Sequence, residues 1–131
     1  LELPGDASRF EYTTIHFGAA QGLAAAIVEL NEMGIDNVWR HDLELATHLI
    51  SGVEELGIEV ISPQSEAERS AIVSLRMPEG ESSEEVAHRL QSDFSILVTS
   101  RSGMLRISPH IDNDLQDIES LLSALSEILQ I

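Results

Sequence analysis

The sequence predicts an α+β domain: a small, mostly antiparallel sheet of about four strands with helices on one face, preceded by an N-terminal arm and a small-residue helix. Three observations carry this. Helical apolar spacing and short β-branched runs follow one another in the order helix, helix, strand, strand, helix, strand, strand, helix. The last two strand-like runs are joined by Arg101-Ser102-Gly103, a connection short enough for an antiparallel hairpin. At 131 residues, 43% of them apolar, the chain has the size and core of one domain, with no internal repeat and no low-complexity linker.

Residues 1–17 read as the arm: Pro4-Gly5 marks a turn, and Arg9-Phe10-Glu11-Tyr12-Thr13-Thr14 follows no period. Residues 18–131 read as a single small domain. From Gly18 to Met33, Leu23, Ala26, Ile27 and Leu30 stand at helical spacing, and Gly34 ends the helix. Its alanines allow close approach of a neighbour, either a partner domain beyond these residues or another helix of the same domain. Asp36 is expected to cap the next helix, whose stripe of Val38, Leu45, Leu49, Val53 and Leu56 runs to Gly57. Strands are expected over Ile58–Ile61 and Ala71–Leu75, stopped by Ser62-Pro63 and Pro78-Glu79-Gly80, with a polar loop over 64–69 between them. Ser82 and Glu85, three apart, have the capping-box form and open a helix carrying Val86, Ala87 and Leu90. Ser95–Thr99 and Met104–Ser108 are the expected hairpin strands. Asn113 with Gln116 is expected to begin the last helix, where Leu115, Ile118, Leu122, Leu125 and Leu129 form an apolar stripe.

The charge balance excludes more than it suggests. With 23 acidic against 7 basic side chains the formal charge is −16, which repels phosphate backbones and anionic headgroups, so neither nucleic acid nor membrane is an expected partner. No apolar run approaches the roughly 18 residues that span a bilayer, and the first residues lack the basic and apolar regions of a signal peptide, so a cytoplasmic location is expected. The opening on a Pro-Gly turn without methionine suggests a piece of something longer. With no cysteine in the chain, it can supply no thiolate nucleophile, persulfide carrier or disulfide. All seven basic residues are arginines, so no lysine amine is present to hold an aldehyde cofactor.

The chemistry-bearing stretch is Arg101-Ser102-Gly103-Met104-Leu105-Arg106-Ile107-Ser108-Pro109-His110. Arg106 sits between Leu105 and Ile107, so strand alternation sends its side chain to the face opposite theirs. If that face lines a cleft, its planar fork suits a carboxylate; otherwise it pairs with one of the chain's own acids. Arg101 either adds to the same field or is solvated. His110 near Asp112 invites a metal or general-base reading, but two such groups do not make a site, and the histidines at 16, 41, 48 and 88 lie without a metal-ligand pattern, so no metal is expected. No Gly-x-Ser-x-Gly elbow and no glycine-rich phosphate loop is present. The acidic residues read as helix first-turn or solvated groups.

Taken together, Arg9-Phe10-Glu11-Tyr12-Thr13-Thr14 with the small-residue helix, then Arg69-Ser70-Ala71-Ile72-Val73-Ser74, then the stretch from Arg101 to His110 with Asn113, resemble the C-terminal part of class V aminotransferase-family enzymes. That family includes cysteine desulfurases, selenocysteine lyases, kynureninases and isopenicillin-N-epimerase-like proteins on the fold-type I pyridoxal-phosphate scaffold. The resemblance implies that Arg106 holds the α-carboxylate of an amino-acid substrate. It also places Thr14 toward the cofactor phosphate, commonly across a homodimer interface, although Thr13 replaces the glycine that precedes it in the family. Asp112 stands where the family often has tyrosine, and only Asn113 of that pair is kept. The cofactor-holding lysine and the pyridine-facing aspartate belong to a large N-terminal domain, the implied partner of this chain within one polypeptide. This chain alone is therefore expected to be inactive, with no catalytic residue of its own. Desulfurases of the family carry a catalytic cysteine on a loop ahead of the arginine strand; here a tight turn without cysteine favours the epimerase-like or lyase-like branch. Without the resemblance, the same residues fit a free-standing module that binds a small carboxylate, or an oligomerisation domain in which Arg106 is tied to an internal acid.

Overall fold

A computed structural model describes residues 5–10, 16–65 and 67–131. The chain forms two units, Leu1–Ile35 and Asp36–Ile131, and each is taken by itself. In the first, Asp6 Oδ1 accepts from the backbone N–H and the hydroxyl of Ser8 and starts a short 3₁₀ turn over Ala7–Phe10, within the stretch expected to be irregular. Helix α1 spans Phe17–Met33. The Nδ1 of His16 caps it by accepting from the Ala19 N–H at 3.0 Å, and Gly34, at φ 85°, donates its N–H to Leu30 O. The helix ends where Gly34 predicts, and none of its residues is buried.

The second unit contains helices α2 (Ile35–Glu55), α3 (Ser83–Phe94) and α4 (Leu115–Leu129) and strands β1 (Glu59–Val60), β2 (Val73–Arg76), β3 (Thr99–Arg101) and β4 (Met104–Ile107). The strands form one antiparallel sheet in the order β1-β2-β4-β3. The α+β class and the antiparallel pairing are as predicted. One face of the sheet, carrying Val73, Leu75, Leu105 and Ile107, merges with the stripes Leu45-Leu49-Val53 of α2, Val86-Leu90 of α3 and Ile118-Leu121-Leu125-Ile128 of α4 into a single core. Full burial of each such side chain stabilises the fold by roughly 1.5–3 kcal/mol relative to exposure.

Several local expectations need correction. Asp36 does not cap α2; the helix already begins at Ile35, and Asp36 lies in its first turn, where a carboxylate favours the positive helix end. The cap of α4 is Asp114 rather than Asn113, in a reciprocal box with Asp117. Ser82 does cap α3, accepting from the Glu85 N–H, but its hydroxyl donates to Glu84 Oε2 rather than meeting a return contact from Glu85. Residues 95–98 are not strand. Ser95 takes the left-handed conformation that closes α3, and the ladder with β4 stops at the Thr99↔Arg106 pair, so the apolar residues Ile96 and Val98 pack on the core without sheet partners. In α4 the buried face centres on Ile118, Leu121 and Leu125, leaving Leu115 exposed at the rim.

Two glycines matter to this architecture. A Cβ on Gly52 would lie 2.3 Å from Leu122 Cδ1, so the missing side chain lets α2 and α4 approach. Ser102 (φ 54°) and Gly103 (φ 75°) are the two central residues of the β3–β4 turn; both φ values are positive, as a two-residue type I′ hairpin requires.

Candidate functional site

The type I′ turn sets the register of the hairpin, and the register sorts its side chains. Thr99 pairs with Arg106, Ser100 with Leu105 and Arg101 with Met104, while across β2 Ser74 pairs with Arg106. Leu105 and Ile107 therefore enter the core, and Arg106, Met104, Thr99, Arg101 and Ser74 share the opposite face with Arg76 and Glu59. Arg106 lies on the face that alternation predicted.

Its surroundings are informative. Arg106 is partly buried, its Nε is shut from solvent without a hydrogen-bond partner, and among the described residues its guanidinium makes no ion pair. A buried donor left unmade costs about 1–3 kcal/mol, which a carboxylate accepting from the guanidinium would recover. The hydroxyl-bearing residues Ser74 and Thr99 stand directly opposite it on either side. Arg76 is already occupied, donating through Nε to Glu59 Oε2 at 2.7 Å. Thr14 lies outside the described residues.

Beyond β4 the chain turns on a polar clamp. Asn113 accepts the His110 N–H on Oδ1 and donates its own N–H to His110 O, while its side-chain amide donates to Asp117 Oδ2. His41 Nε2 bonds Asn113 O at 2.9 Å. His110 does not pair with Asp112: its Nδ1 meets Asp42 Oδ2 at 2.7 Å, and Asp42 is buried, with Oδ1 unpartnered. Asp42 was missed in the sequence, although a signal was there, since it interrupts the Val38-Leu45-Leu49 stripe at a core position. His48 pairs with Glu119. Among the described residues no three of His, Cys, Asp and Glu gather as a metal site. A cavity of about 360 Å³ lies between α2 and the start of α4, lined by His41, Glu44, Leu45, Asp114, Leu115 and Gln116; neither Arg106 nor Arg101 reaches it. Among the described residues no helix is long and apolar enough to cross a membrane.

An antiparallel four-stranded sheet with helices on one face, and a partly buried arginine without an ion pair among the described residues on the other, make this an α+β domain. The aminotransferase class-V family model matches residues 2–121, and the chain belongs to the class V aminotransferase family. It is 29% identical, over 93% of its length, to a protein of Pyrococcus abyssi (strain GE5 / Orsay) named probable cysteine desulfurase, of which it covers 33%. The structure of a cysteine desulfurase from Thermococcus onnurineus NA1 superposes on 98% of the chain with a TM-score of 0.87 and 28% identity, the chain covering 35% of it. An alanine–glyoxylate aminotransferase from Nostoc sp. shares the fold at a TM-score of 0.73 over 95% of this chain and 34% of its own, with 18% identity. The chain thus spans about a third of the length of these relatives.

Proposed function

We propose that this chain is the small domain of a pyridoxal-phosphate-dependent class V enzyme acting on an amino acid, and that Arg106 receives the substrate α-carboxylate. The observation that carries the reading is the Arg106 guanidinium: partly buried, with Nε unpartnered and no internal acid tied to it among the described residues. The oligomerisation reading required the opposite, an Arg106 neutralised from within. The length relation to the relatives supports a large domain on the same polypeptide; we propose in addition that the parent is a homodimer of the complete chain, as the family resemblance implies. The chain has no lysine with which to hold the cofactor covalently, and Thr14, which the resemblance turns toward the cofactor phosphate, lies outside the described residues. What these residues do is bind and orient, fixing one end of the substrate so that a second domain can close on it.

The likeness to cysteine desulfurases extends to the scaffold and stops at the nucleophile. Ahead of Arg106, where such enzymes would present a cysteine, stands the two-residue turn Ser102-Gly103, and the chain has no cysteine. The reaction proposed is therefore a lyase, epimerase or transaminase step without a persulfide formed on this domain.

The test uses the full-length protein, expected at about three times the length of this chain from its 33–35% coverage of the relatives and carrying pyridoxal phosphate. Arg106→Gln should lower affinity for the amino-acid substrate roughly ten- to a hundredfold, the worth of a charge-assisted hydrogen bond, with the circular-dichroism spectrum unchanged. Unaltered affinity in a folded variant would sink the assignment.

A further inference from the structure

The outer face of the sheet has a charge that contradicts the chain. Of seven basic residues in the sequence, Arg76, Arg101 and Arg106 stand on this one face, against a single strand acid, Glu59, out of 23 acidic residues in all. Glu59 is taken by Arg76. Arg101 is exposed and, like Arg106, forms no ion pair among the described residues. Because Arg101 pairs with Met104 and Thr99 with Arg106, the two arginines are diagonal neighbours, roughly 7–8 Å apart at their backbone positions. Two like charges carried on neighbouring positions repel each other. Among the described residues neither meets a carboxylate.

We infer that Arg101 is a second anion-binding residue beside Arg106, so that the substrate is an amino acid whose side chain carries a carboxylate of its own. The inference rests on the reading of Arg106 given above and deepens it. Arg106, partly buried and flanked by Ser74 and Thr99, takes the α-carboxylate; Arg101, at the exposed turn end of the hairpin, takes the distal one. The two-residue turn fixes the spacing of the two backbone positions from which the guanidiniums extend. The formal charge of −16 over the whole chain repels a dianion, which two cations on neighbouring positions offset locally, whereas a substrate with a neutral side chain would leave Arg101 unused.

The experiment is calorimetric titration of the full-length protein with succinate and with succinamate, which differ only in the second carboxylate and do not react. Succinate should bind roughly ten- to a hundredfold more tightly. Arg101→Gln, an exposed position whose change leaves the fold intact, should bring the two affinities together by weakening succinate alone. Arg106→Gln, or Arg106→Lys if the first fails to fold, should weaken both. Equal affinities in the unaltered protein, or a gap that survives in Arg101→Gln, would overturn the inference while leaving the role of Arg106 standing if its variant still weakens binding; no binding of either ligand would overturn the inference, the role of Arg106 then resting on the substrate-affinity test above. If the Arg106 variants bind both ligands normally, the underlying reading fails and this one with it.

Discussion

Along strands β2 and β4, neighbouring residues serve opposite faces of one sheet. Inward, Val73, Leu75 and Leu105 are fully buried and Ile107 nearly so, packed against three helices. Outward, Ser74, Arg76, Met104 and Arg106 share their face with Thr99, Arg101 and Glu59, most of it exposed and most of its charge positive. The difference teaches that stability and the recognition proposed for Arg106 are separated here by one residue of strand alternation and not by distance along the chain. A change on one face should therefore leave the property of the other face nearly untouched.

The strongest way to break that separation is Leu105→Ala. Leu105 is wholly buried, and removing its side chain leaves a cavity at the junction of sheet and helices, expected to cost about 2–5 kcal/mol. Its hairpin neighbour Arg101→Gln should cost within about 0.5 kcal/mol, because an exposed side chain without an ion pair among the described residues is lost. Urea midpoints of the two variants measure this directly, and similar losses would mean that the faces are not independent. An effect between these two is expected of Gly103→Ala. Nothing lies within 4 Å of an added Cβ, so the cost is purely conformational, about 1–2 kcal/mol for a left-handed residue at φ 75°. Amide exchange should quicken in Thr99–Arg101 and Met104, with core amides of α4 unchanged; uniform quickening would show that the turn supports the whole unit and not only the spacing of the two arginines.

Much of the inner face was legible in the sequence. Helix periodicity, the hairpin signal and alternation around Arg106 place the elements because hydrophobic burial acts on every repeat of a pattern. What misled was local and contingent. Ile96 and Val98 have strand propensity, yet the partner strand ends before them, a fact of register that no propensity contains. Asn113 looked like a helix cap, but it is spent on clamping the His110 turn, and Asp114 caps instead. The Asp42–His110 pair joins residues 68 apart in sequence and needed the fold to bring them together. Arg106 was readable as a candidate from alternation alone; its unpartnered Nε was not, since absence of a partner depends on every neighbouring element.

The inner face has one polar exception, and it gives the smallest effect. Ser100, between the outward Thr99 and Arg101, points inward and bonds the buried Ser83 hydroxyl at 2.7 Å, tying β3 to the start of α3. Beside that contact, Glu84 is held below the ordinary glutamate value of 4.5, chiefly by its own backbone N–H at the helix start, then by the hydroxyls of Ser82, Ser100 and Ser83. The folded state thus prefers the carboxylate, and the unfolded chain takes up the proton first as pH falls. The resulting stabilisation is present above the unfolded value near 4.5 and is lost as pH drops through the lower folded value. Glu84→Gln should then lower the urea midpoint slightly at neutral pH and converge with the unaltered protein below pH 4.5, flattening the acid limb of the stability curve. Because Glu84 is exposed, salt should shrink the neutral-pH difference. Curves that stay parallel down through the acid range would place the helix-start contacts outside the energetics of the fold and leave the inner face purely apolar in its contribution.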